Sequence, residues 1–126
     1  MKEIAIFLCM IFCHILDDFK FQGILAEFKS KHWWREHSPS EQYKHDWKIS
    51  LFMHCFSWSF MVMLPILISL HFTVPVWFIV VFVVNLCVHF VIDHLKANAK
   101  MINLVQDQCA HFVQIIWTFM IYMFLR

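Results

Sequence analysis

Val74–Leu95 reads VPVWFIVVFVVNLCVHFVIDHL. It is about as long as the ~20 apolar residues that a helix needs to cross the hydrocarbon core of a bilayer. Pro75 suits the first turn of such a helix, where a missing N–H costs nothing. His89 and Asp93 stand four residues apart near its end. On an α-helix that spacing puts both side chains on one face.

Three more stretches repeat the design. Working outward, spans are expected at about 3–22, 49–70 and 108–125, beside the one at 74–95. His14 and Asp18 close the first span, His54 lies near the start of the second, and Asp107 and His111 open the fourth. Pro65 is expected to kink the second span, and His71–Thr73 to form a tight turn. The composition agrees with a membrane chain. Of 126 residues, 61% are hydrophobic and 15% charged, with 15 Phe and a single Gly. An ordinary soluble domain has roughly 45–50% apolar and 25% charged residues. A core of this size cannot hide so much apolar surface, so lipid must cover it. The chain is expected to be one domain, residues 1–126, an all-α membrane protein with four transmembrane helices in a bundle. The formal charge of +1 gives no reason to expect a nucleic-acid partner.

Lys and Arg set the orientation. Lys20, Lys29, Lys31, Arg35, Lys44 and Lys48 lie between the first two spans, and Lys96 and Lys100 between the last two. Only Lys2 and Arg126 lie on the other side. The positive-inside rule then puts both loops in the cytoplasm and both termini outside, in a cytoplasmic (inner) membrane. Lys2 and the apolar run from Ile4 to Leu16 resemble a short signal peptide. No small-residue cleavage site follows, so a retained first span is expected. In the first loop, 23–48, the stripe Phe21, Ile24, Leu25, Phe28 and the pair Trp33–Trp34 among Lys31, His32 and Arg35 predict an interfacial helix with snorkelling cations. Cys9, Cys13, Cys55, Cys87 and Cys109 form no C-x-x-C and are odd in number, which reads as buried free thiols. Cys13 and Cys55 each neighbour a His. A thiolate ligand is the sharper alternative there, although neighbours on a helix point about 100° apart.

With this topology His14, Asp18, His54, His89, Asp93, Asp107 and His111 all fall in the cytoplasmic leaflet. Imidazole with carboxylate is the ligand set of catalytic zinc, manganese and non-haem iron. Opposed pairs on bundled helices are how di-metal carboxylate sites are built. Seven ligands exceed one tetrahedral ion, so one or two divalent ions are expected, zinc foremost, with an aspartate bridging or acting as base. A bound metal lowers the pKa of water toward neutrality. Gln22 and Lys96 continue the ligand faces, and Lys96 suits an anionic ester. The catalytic assignment is therefore Asp93, Lys96 and Gln22. Asp17, Gln108 and His94 lie about 100° off those faces and suit second-rank contacts that orient the imidazoles. A belt of polar residues bonding across helices, or a proton relay, are the competing readings. Three pairs plus His54 in one leaflet favour the metal.

The order His14-x-x-x-Asp18-Phe19-x-x-Gln22, then Lys29, His54, His89-Phe90-x-x-Asp93-x-x-Lys96 and Asp107-Gln108-x-x-His111 resembles a family of small bacterial and phage membrane proteins, domain of unknown function 3307. The likeness covers nearly the whole chain. A long Trp-rich insertion after Lys29, and Asp17 at a position where a small residue is commoner, depart from it. The resemblance implies the same ligand list and leaves the substrate open. In spacing alone the pairs are also similar to membrane-bound metal-dependent hydrolases and zinc phospholipases C. The reading is a metal-dependent hydrolase of a phospholipid or other phosphate ester, with the bilayer as partner and an oligomer open. The alternative is a non-enzymatic membrane protein: a metal-ion or proton carrier, or a phage-type membrane-modifying protein with a structural metal. Apolar outer halves, Phe60–Leu70 and Val74–Val84, argue against a pore.

Overall fold

The computed structural model describes residues 1–126, and every ordered element is helical. Helix α1 spans Lys2–Leu16 and runs on into a π-turn, Asp17–Phe21. Short helices α2 (Leu25–Phe28) and α3 (Lys31–His37) and a 3-10 turn (Glu41–Tyr43) follow. Helices α4 (Asp46–Ser69), α5 (Val76–Ala97) and α6 (Leu104–Leu125) complete the chain. These last three are long and apolar enough to cross a membrane. The fifteen residues of α1 reach only about 22 Å at 1.5 Å per residue, short of the ~30 Å core. The π-turn carries the segment on toward its expected end at Gln22.

Local chemistry explains the boundaries. Gly23, at φ +50°, stops the π-turn and separates it from α2. The single interfacial helix expected across Phe19–Trp34 is thus three short pieces, with a second break at extended Ser30. Helix α4 continues through Pro65. It ends on a pair of bonds typical of a left-handed cap: Phe72 N–H to Leu67 C=O and His71 N–H to Ile68 C=O, both 3.0 Å. His71 and Phe72 take positive φ there, with no glycine to relieve them. Pro75 is the residue just before α5. Asn103 caps α6 reciprocally with Gln106, so α6 starts four residues ahead of its expected Gln108.

The core occupies one half of the bundle. Ile6 and Met10 of α1, Trp58, Val62, Met63 and Ile66 of α4, Phe78 and Val81 of α5, and Ile115 and Tyr122 of α6 pack together. Arg126 bonds Glu3 at 2.7 Å beyond it, joining the last residue to the start of α1. Only 27 of 126 residues are buried, and large apolar side chains such as Phe12, Phe56, Val80 and Val113 face outward. That is the inverse of a soluble bundle. Midway, Asn85, Gln114 and Thr118 bond one another: Gln114 Nε2 donates to Asn85 Oδ1 at 2.8 Å and Asn85 Nδ2 to Thr118 Oγ1 at 2.9 Å, while Gln114 Oε1 is buried without a partner. The other half of the bundle is polar inside.

Candidate metal centre

The end of α1, the start of α4, the end of α5 and the start of α6 meet at that polar end. His14, His54, His89, His111 and Asp107 are fully or almost fully buried, as is Asp93. Asp93 is the hub. Its Oδ2 lies 3.2 Å from His54 Nε2, and its Oδ1 lies 3.3 Å from His111 Nε2 and 3.7 Å from His89 Nε2. His54 Nε2 is 3.2 Å from His89 Nε2 and 3.5 Å from Asp18 Oδ1. His111 Nε2 is 3.4 Å from Asp107 Oδ1. Two overlapping groups, Asp18–His54–His89 and His89–Asp93–His111, can each hold a metal ion.

These separations have a physical meaning. Ligand atoms about 2.0–2.1 Å from a tetrahedral ion lie about 3.3 Å from one another. The approaches above cluster around that edge length. Several are not aligned as hydrogen bonds: Asp18 Oδ1, Asp107 Oδ1 and both nitrogens of His111 are buried without a partner. Each such group costs about 1–3 kcal/mol if left unsatisfied. A cation among them removes that cost. Four carboxylates, from Asp17, Asp18, Asp93 and Asp107, face two ammonium groups, from Lys29 and Lys96. The formal charge is −2, which one divalent ion balances. No cysteine belongs to either group, and all five thiols are free.

His14 lies at the site, 3.5 Å from Asp18 Oδ2, but outside both groups. Its Nδ1 accepts the indole N–H of Trp58 at 2.8 Å, and its Nε2 faces Gln108 Oε1 at 3.2 Å. With Nδ1 accepting, Nε2 carries the proton and donates to Gln108. Both nitrogens are thus engaged, and the ring serves to position Gln108 and Trp58. Gln108 in turn donates to Asp18 Oδ2 at 3.2 Å and Asp107 Oδ2 at 3.1 Å, linking two carboxylates. Gln22 turns its amide onto the Asp18 carbonyl at 2.6 Å, away from the ligand atoms. Lys96 lies at the rim, one third exposed, with its ammonium 2.6 Å from Asp107 Oδ2. His94 stacks on Trp47 instead of supporting a ligand. His32, His37, His45 and His71 are exposed and outside the site.

No family model, curated protein or solved structure matches the chain. One residue of the site escapes helix-face reasoning altogether. Lys29 is buried, and its ammonium reaches Asp93 Oδ2 at 2.6 Å from the connection between α2 and α3. A loop residue has no helical phase to betray it. Asp17 takes the hydroxyl of Ser57 at 2.6 Å and approaches His54 Nδ1 at 3.7 Å. His54 therefore sits between two adjacent carboxylates, one at each ring nitrogen. A carboxylate behind a ligating imidazole orients it and raises its basicity. Trp58 stacks on His89 with centroids 4.1 Å apart and planes 17° from parallel. Its signal was in the sequence: it follows His54 by four residues on α4.

Proposed function

We propose that the chain is a four-span protein of the cytoplasmic membrane whose inner-leaflet metal centre hydrolyses a phospholipid or other phosphate ester. The observation that carries this reading is Asp93, whose two oxygens address different histidines. Asp93, His54, His89, His111, Asp18 and Asp107 would hold one or two divalent ions. Zinc suits this donor set best, and manganese or iron also fit. The metal supplies Lewis acidity and a water acidified toward neutral pH.

The chain's own groups supply the rest. Lys96 and Gln108 lie at the part-exposed rim, so an anionic ester meets an ammonium and an amide before it meets the carboxylates. One aspartate of the centre would take a proton from the attacking water. The water oxygen bonds to phosphorus, the P–O ester bond breaks, and the leaving oxygen takes up the proton held by that aspartate. Lys29 holds Asp93 in place from the loop side. The first span, α1 with its π-turn, would cross with help from its polar end, and α2 and α3 would lie in the interface. The resemblance of the ordered motifs to the domain of unknown function 3307 proteins implies these ligands together with His14. The Lys and Arg distribution supports external termini and a cytoplasmic site.

Detergent-solubilised protein is expected to turn over a phospholipid or a generic phosphodiester. Activity should vanish with chelator and return with zinc or manganese. Lys96→Met should keep the metal yet weaken action on charged esters more than on neutral ones. Metal-loaded protein that cleaves no ester but carries metal or protons across sealed vesicles would overturn the hydrolase in favour of a carrier.

A further inference from the structure

A second polar hollow lies outside the metal centre. It has a volume of about 400 Å³ and is bounded by α3, the Ser38–His45 connection and the first turn of α4. Lys31, Arg35, Lys44 and Lys48 line it, against Glu41 alone, a formal +3. Glu41 is taken by Lys44 at 3.1 Å. Arg35 has no carboxylate partner, and Lys31 and Lys48 reach only the Trp47 ring, at 4.5 and 5.8 Å. The cations are thus concentrated where like charges repel, with no protein anion to offset three of them.

The walls are fixed. Asn98, just past α5, donates to the Lys29 carbonyl at 3.0 Å and accepts from the Lys31 N–H at 2.7 Å. Trp34 donates to the Phe28 carbonyl at 2.7 Å, and Trp47 is buried at the base. The hollow also opens at the start of a helix long and apolar enough to cross a membrane. Ile49, Phe52, Met53 and Phe56 form an exposed apolar strip that begins directly after Lys48. Positive charge at the N-terminal end of α4 adds to the pull on an anion.

We propose that this hollow binds the phosphate headgroup of an anionic phospholipid, with its acyl chains along the Ile49–Phe56 strip of α4. The apolar strip is what favours a lipid over free phosphate. Basic clusters beside a membrane helix recognise anionic headgroups, at about fivefold in affinity per cation. The site is separate from the metal centre and does not rest on the hydrolase reading.

Native mass spectrometry of the full chain in neutral detergent, with phosphatidylglycerol or phosphatidylcholine titrated in, tests the assignment. Phosphatidylglycerol is expected to bind at least about tenfold more tightly. The exposed Arg35→Gln change should weaken it about fivefold, and Arg35→Gln with Lys44→Gln and Lys48→Gln about a hundredfold. Phosphatidylcholine binding and metal content should not move, and chelator should have no effect. Equal binding of the two lipids, or undiminished binding by the single and triple variants, would overturn it. Displacement of phosphatidylglycerol by excess inorganic phosphate would overturn the lipid headgroup in favour of free phosphate.

Discussion

Asp93→Ala is expected to destabilise the bundle by about 3–5 kcal/mol and to lower its metal content in the same step. Lys29 is almost fully buried against this carboxylate. Removing one partner of a buried pair strands the other charge, and that loss far exceeds the net worth of the pair. Three histidines also lose their shared neighbour. Unfolding in detergent reads the stability, and elemental analysis reads the metal. A compensated variant separates the two effects. Replacing the pair together, as Lys29→Met with Asp93→Leu, removes both charges, and such swaps are often neutral in stability. This double variant should regain most of the lost stability and still hold less metal than the parent. A single Asp93→Ala protein as stable as the parent would contradict the buried pair.

Trp58→Ala should rank close behind, at about 3–5 kcal/mol, the usual cost of emptying a buried aromatic site. Trp58 is fully buried and forms the floor between the apolar core and the histidines. It also donates to His14 and stacks on His89. Outer contacts of this kind are worth about 10–100-fold in metal affinity, so binding measured against a chromophoric chelator should weaken in that range. Trp58→Phe keeps the ring on His89 and loses only the N–H, at a cost of about 1–3 kcal/mol for the unsatisfied His14 nitrogen. A phenylalanine variant as damaged as the alanine variant would mean that the hydrogen bond, not the stack, carries the site.

The sequence made the long helices legible because apolar runs of membrane length admit few other structures. It made most of the centre legible through one rule, that residues four apart share a face. His89 with Asp93 and Asp107 with His111 obey it within 3.7 Å. The rule does not see what a ring nitrogen is already doing. His14 keeps the right spacing to Asp18 and lies at the site, yet Trp58 and Gln108 occupy both of its nitrogens. Nor does it see across elements: Asp17 matters because His54 arrives from α4 with two nitrogens to satisfy. Lys29 enters from a connection whose shape depends on Gly23, Ser30 and the Asn98 clamp, none of which has a hydrophobic period. Helix α6 starts ahead of its apolar run because Asn103 and Gln106 cap it and Asp107 serves the buried site.

The centre itself is tested most directly by elemental analysis of the full-length protein, purified in detergent without added metal. The account predicts one to two equivalents of zinc, manganese or iron per chain, lost on simultaneous replacement of His89 and Asp93 by alanine and kept when the exposed His37 is replaced. Protein that is folded yet carries no divalent metal, and takes up none on dialysis, would contradict it.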